Sequence, residues 1–186
     1  HRELTAVVRT SGGDVVRHHK WQRLRRGAGA GNVSLVAEKW FLKLDGIEGE
    51  STNAAHKNEI DVESWSWGIT QAGSSGFGGG GGSGKAAFQD MHFVARISKA
   101  SPKLFLSCAT GVHHKVATLS GRRTAGKGKT VEFLKYKLSD VQVTGVQHSD
   151  SEAGAPMEQF SLQYSKLEMS YSPQATSGKL GAAVTA

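Results

Sequence analysis

From Lys39 onward, apolar and polar positions alternate with a period of two over most of the chain, the pattern of half-buried strands. In KWFLKL, Lys39 to Leu44, the residues Trp40, Leu42 and Leu44 share one face, and Gly46 and Gly49 punctuate the stretch beyond it. Between Ile60 and Thr70, Trp65, Trp67 and Ile69 oppose Ser64, Ser66 and Gly68. From Lys85 to Ile97, Ala87, Met91, Phe93, Ala95 and Ile97 oppose Phe88, Asp90, His92 and Val94. Further strands are predicted over Val116 to Leu119, Thr130 to Val143 and Gln159 to Tyr171. In the last of these the apolar set runs Phe160, Leu162, Tyr164 and then Leu167, Met169, Tyr171. The parity flips, as a one-residue bulge or a strand crossing between sheets would make it.

One segment departs from this period. Ser101 to Gly111 reads as a short helix, with Ser101 at the N-cap, Pro102 at the first helical position and Gly111 in the left-handed position past the end. Leu104, Phe105 and Cys108 form its predicted apolar stripe, with Cys108 as a small buried hydrophobe. Several strands, Gly-rich turns and one short helix near residues 101–111 predict a mainly β fold, a two-sheet β-barrel. Its expected core includes Trp40, Trp65, Trp67, Phe93, Leu104, Phe105 and Cys108.

With 186 residues there is one domain's worth of chain, with room for an extension. A single cysteine excludes an intramolecular disulfide and a Cys-based zinc site. No apolar run approaches the roughly 18 residues of a membrane-spanning helix. The basic N-terminal stretch lacks the apolar segment of a secretory signal. Export of such a chain would use a route that reads the folded protein.

The net charge of +7 invites a nucleic-acid reading. Residues 1–36, however, hold seven basic and two acidic residues, a net of +5, and the remaining 150 residues hold sixteen basic and fourteen acidic, a net of +2. The excess belongs to an arm that ends in Gly27-Ala28-Gly29-Ala30-Gly31 and reads as disordered or as a non-native leader. Residues 37–174 then form the barrel domain and 175–186 a loose tail. A nucleic-acid-binding barrel would need basic residues interleaved with exposed aromatics, which the near-balanced body does not offer. A carbohydrate-binding barrel would expose its Trp side chains, whereas the alternation turns Trp65 and Trp67 inward.

The glycine run ending at Lys85 matches G-x-x-x-x-G-K from Gly79. A phosphate loop also needs a hydroxyl after the Lys and a helix beyond it. Here Ala86 takes the hydroxyl's place, and the residues beyond it alternate as a strand. The run is read instead as a long loop between strands, costly to order alone, with Phe77 as an apolar anchor for another copy of the chain. Gly73, Ser74, Ser75, Phe77, Gly78, Gly79, Gly80, Gly81, Gly82 and Lys85 are the expected interface residues. No catalytic constellation or cofactor motif stands out. The adjacent pairs His18-His19 and His113-His114 lack metal-ligand spacing and point to opposite faces of an extended chain. Glu59, Asp61 and Glu63 read as a solvated acidic stripe.

The run WFLKLDGIEGES, Trp40 to Ser51, resembles the opening of the Hcp (hemolysin-coregulated protein) family, the tube subunits of bacterial type VI secretion systems. The resemblance continues through His56, EIDVESWSWGITQAGS (Glu59 to Ser74), GSGKAAFQDMHF (Gly82 to Phe93) and ISKASPKLFLSCATGVHH (Ile97 to His114). It extends over RRTAG, VEFLKYKLSDVQVTGV (Val131 to Val146) and EQFSLQYSKLEMSYSPQ (Glu158 to Gln174). It spans roughly residues 38–174. Residues 1–36 match nothing in the family, and the end after Pro173 lacks the aromatic-containing terminus of many members.

The resemblance implies a two-sheet barrel with one side helix and no enzymatic core. It implies a homohexameric ring, with rings stacking into a tube inside a contractile sheath and beneath a VgrG spike. Effectors ride in the lumen, and contraction expels the tube from a cytoplasmic pool in a Gram-negative cell. Neither membrane insertion nor nucleic acid is expected. On this reading Ser66 faces the lumen, because the small polar face of Ser64, Ser66 and Gly68 suits a wall that passes varied cargo.

Overall fold

The computed structural model describes residues 38–71, 86–124, 130–150, 154–174 and 180–186. Strands form where the sequence alternates: β1 (Glu38–Leu44), β2 (Ile60–Ser66), β3 (Ile69–Gln71), β4 (Ala86–Phe88), β5 (Met91–Arg96), β6 (His113–Thr124), β7 (Thr130–Ser149), β8 (Met157–Tyr171) and β9 (Val184–Thr185). The single helix among the described residues is α1 (Ser101–Thr110). Antiparallel pairing runs β5-β2-β1-β6-β7-β8, and β5 pairs again with β8, which closes six strands into a barrel. Closure leaves few unpaired edges. β3 and β4 form a separate two-stranded sheet.

The barrel interior is filled from the expected parity. Leu42 and Leu44 of β1, Met91, Phe93 and Ala95 of β5, and Phe160 and Leu162 of β8 are all buried. Phe41, on the opposite face of β1, is buried as well, because the segment before β2 folds over it and the His56 ring stacks on it at 4.5 Å. Burial on both faces hides Phe41 from an alternation reading.

The parity break in β8 does not come from a one-residue bulge, the first of the two expected causes. Register between β7 and β8 is unbroken from Leu138↔Leu167 to Val141↔Tyr164, so both strands flip together. At the flip, Asp140 has φ 53. It accepts hydrogen bonds from the Ser165 hydroxyl at 2.6 Å and from His113 Nδ1 at 2.8 Å, joining β6, β7 and β8. The register does shift elsewhere, between Val62 and Ser64 of β2, so that Ile60, Val62 and then Trp65 turn inward.

The Ser165 and His113 hydrogen bonds hold the Asp140 carboxyl below its ordinary value. A carboxyl lowered by folding stabilises the native state above its unfolded value and loses that contribution as pH falls through the folded one. Asp140→Asn, which tolerates the left-handed backbone, is therefore expected to flatten the acid limb of a stability–pH profile and leave the alkaline limb as it was.

Helix α1 ends as read, with Gly111 at φ 66 and its N–H on the Ser107 carbonyl. Its start differs. The cap position is Ala100, with no side-chain cap. Ser101 is instead buried, accepting the Ser98 N–H at 3.0 Å and donating to Glu158 at 3.1 Å. The predicted stripe is also corrected: Leu104 is buried, Cys108 packs half-buried against the core, and Phe105 is 63% exposed. Successive helical residues lie about 100° apart, and the buried side follows Ser101, Leu104 and Ser107, which turns Phe105 to solvent.

Of the tail expected over residues 175–186, residues 175–179 lie outside the described residues, and residues 180–186 are paired with the barrel. Val184–Thr185 pairs with Ser170 and Tyr171 of β8, and Ala186 and Met169 exchange backbone hydrogen bonds of 3.0 and 2.9 Å. β5 occupies the edge of β8 only from Met157 to Leu162, so this stretch satisfies amides left open beyond it.

Candidate functional site

Three expected core tryptophans stand at one end of the barrel, packed against the core but half-buried. Trp40 meets Trp65 edge-on at 5.0 Å and Phe133 at 5.7 Å, and Trp65 meets Tyr136 at 5.2 Å. They form a lid of aromatic rings, a correction to the expectation of full burial. Burial raises the Tyr136 phenol above its ordinary value. Trp40 lies over Gly121, its partner across the ladder, at a spacing that leaves no room for a Cβ.

Trp67 continues this row and fixes the root of the β3–β4 ribbon. Its indole N–H donates to the Tyr164 hydroxyl, which in turn donates to the Gln89 carbonyl at 3.1 Å. The Gln89 N–H bonds the Gly68 carbonyl at 3.0 Å. Desolvation raises the Tyr164 phenol above its ordinary value. The ribbon therefore leaves the barrel in a set direction. Tyr164→Phe should leave the Trp67 and Gln89 groups unpaired, at a cost of about 1 kcal/mol. The expected readout is faster proteolysis within residues 69–88, with a small loss of thermal stability.

The expected interface residues Gly73 to Gly82 and Lys85 lie outside the described residues. Beyond them the chain is strand β4, where a phosphate loop would need a helix. Ser66 is exposed on the outer face of β2. It lines a shallow groove of about 590 Å³ together with Ser64, His92, Gln147, Gln159 and Ser161. No Asp, Glu, Lys or Arg lines this groove among the described residues.

His113 and His114 face opposite ways, as their adjacency predicts. His113 is exposed, whereas His114 is buried between the Asp45 carbonyl, 2.7 Å from Nδ1, and the Ser107 hydroxyl, 3.1 Å from Nε2. The carbonyl only accepts, so Nδ1 donates to it, and Nε2 shares a hydrogen bond with the Ser107 hydroxyl. His114 thus ties α1 to the barrel. Of the acidic stripe, Glu59 receives His56 Nδ1 at 2.8 Å and Glu63 pairs with Arg96 at 2.9 Å.

The site is thus a small polar face and a projecting ribbon on a closed barrel. A family profile described as "Type VI secretion system effector, Hcp" matches residues 41–171. Protein hcp1 of Pseudomonas aeruginosa is 37% identical over 144 residues, 77% of this chain and 88% of that protein. The crystal structure of Hcp1 from Salmonella typhimurium has a TM-score of 0.65 at 34% identity, covering 80% of this chain and 92% of that one. A solved type six secretion system protein has a TM-score of 0.74 at 29% identity, with the same two coverages.

These similarities define the class as structural β-barrel subunits of a secretion tube. The chain belongs to the Hcp family of the type VI secretion system. Self-association into a tube and secretion follow in general from that membership. None of the described helices is long and apolar enough to cross a membrane.

Proposed function

We propose that this chain closes head-to-tail into six-membered rings. The rings stack inside a contractile sheath below a VgrG spike and leave a cytoplasmic pool when the sheath contracts. The chain works as a conduit and not as an enzyme. The observation that carries the reading is the closed barrel with its root-anchored ribbon, found in a chain of this family. A head-to-tail ring needs two different surfaces on one subunit, and a ribbon outside the main sheet supplies one. The loop from Gly73 to Lys85 joins the neighbouring copy, with Phe77 as its apolar contact. In a strain with an intact sheath the chain should accumulate in the medium. Deletion of the sheath should hold it in the cells, and equal export by both strains would contradict the reading.

The groove around Ser66 is the lumen wall in this account. Ser, Gln and His side chains line it beside apolar ones such as Val94, with no Asp, Glu, Lys or Arg among the described residues, so effectors of either charge meet no carboxylate, ammonium or guanidinium there. Ser66→Arg adds bulk and charge to an exposed position and should leave folding within about 0.5 kcal/mol. Co-purification of effectors with the assembled protein should fall at least tenfold. Undiminished cargo would remove Ser66 from the wall. The carbohydrate-binding alternative is disfavoured because Trp40, Trp65 and Trp67 pack against the core.

A further inference from the structure

We propose that the outward face of α1 is the acceptor for the β3–β4 ribbon of a second copy of this chain. The inference rests on the ring reading and names the surfaces that join the copies.

A helix lying on a barrel should turn polar residues to water. The outward side of α1 instead carries Pro102, Phe105, Leu106 and Ala109, with Phe105 63% and Leu106 60% exposed. Val112, just past the helix, is 48% exposed. Lys103 is the single charged residue of the helix. A contiguous apolar face of this kind marks a contact surface.

The ribbon has the matching property. Ile69 and Phe88 are cross-strand partners on one face, 49% and 59% exposed. Its two strands, ITQ and AAF, carry no charge. A two-stranded ribbon is marginal in water without a further surface. The anchor through Trp67, Tyr164 and Gln89 sets its direction, so less ordering remains to be done when it docks.

Three observations select a second copy. Both apolar faces occur on one chain and neither is covered by the described residues of that chain, which is the condition for a contact between unlike patches. Neither face offers a charge pattern for a charged partner to read: the ribbon strands have none, and α1 has only Lys103. The area also fits a closed assembly better than a lone pair. An aromatic side chain can bury about 200 Å². Joining the two faces then covers on the order of 700 Å² in total, short of the roughly 1,200 Å² of a stable isolated pair. Such a contact holds when every copy both gives a ribbon and receives one.

The test uses the full chain. Assembly of the unaltered protein is measured first by sedimentation. Leu106→Glu and Phe88→Glu alter exposed positions, and circular dichroism should show both folded. Each should lower the assembled fraction at least tenfold at equal concentration. Leu106→Glu combined with Phe88→Lys should recover most of it by placing opposite charges across the contact. If the unaltered chain assembles and both single variants assemble equally well, the ribbon-to-helix contact is wrong and the ring reading stands. If only one variant is impaired, or the combination recovers nothing, the pairing of these two faces is likewise overturned. If the unaltered chain does not assemble, the ring reading fails and this contact with it.

Discussion

Glu158→Ala is expected to lower stability by roughly 2–4 kcal/mol. Glu158 faces the barrel interior from β8 and has no exposed surface. Its carboxylate accepts the Ser101 hydroxyl at 3.1 Å and meets His148 Nε2 at 3.0 Å. One buried group thus joins β8 to the start of α1 and to the far end of β7. Alanine leaves the serine donor without its acceptor and opens a cavity where the longer side chain lay. For a chain of this size, about 3 kcal/mol corresponds to a fall in Tm of about 6–12 °C. Glu158→Gln keeps the volume and an accepting oxygen and should lose less than half as much. Glu158→Met separates the two causes, since it fills the space without restoring the hydrogen bonds. An alanine variant within about 1 °C of the parent would show that the buried carboxylate holds nothing together.

Gly121→Val should be comparably damaging for the opposite reason, too much volume. Trp40 lies across Gly121 in the β1–β6 ladder, and even a Cβ there would fall on its ring. The ring cannot simply swing aside, because Trp65 and Phe133 meet it edge-on at 5.0 and 5.7 Å. Overpacking of this kind costs about 1–3 kcal/mol, sometimes more. Valine's usual gain in strand propensity is smaller than that. The expected signature is a lower Tm with altered tryptophan fluorescence. Unchanged fluorescence would show that the aromatic lid yields more easily than its contacts imply.

The barrel is legible in the sequence wherever one face of a strand is buried and the other is wet. Met91, Phe93 and Ala95 alternate with exposed or half-exposed neighbours, and all three point inward. The legible pattern fails where a second layer covers the strand, as His56 covers Phe41. It fails again where the backbone breaks step, at the bulge after Val62 and at Asp140. The apparent single strand from Ile60 to Thr70 is β2 followed by β3, because the chain leaves the barrel after Ser66 and starts the ribbon at Ile69. Ile69 consequently leaves the face that alternation has it share with Trp65 and Trp67.

The helix shows the same division. Pro102 and Gly111 mark it from composition and position alone, and Leu104 is buried as expected. Hydrophobicity alone turns Phe105 inward, yet three successive apolar residues, Leu104, Phe105 and Leu106, span too wide an arc for one face of a helix to bury. That spread is the signal in the sequence for an outward contact surface. No comparable signal exists for Ser101 and Glu158, which lie 57 residues apart in sequence. A buried carboxylate is distinguished from a solvated one only when the tertiary fold brings its partners to it.

Copies of this barrel should close into a ring. Light scattering coupled to size exclusion on the full chain, with negative-stain images of the same peak, tests it most directly. A particle of six times the chain mass with an open centre is the expected result. A single-chain mass across the accessible concentration range, with no rings in the images, would contradict it.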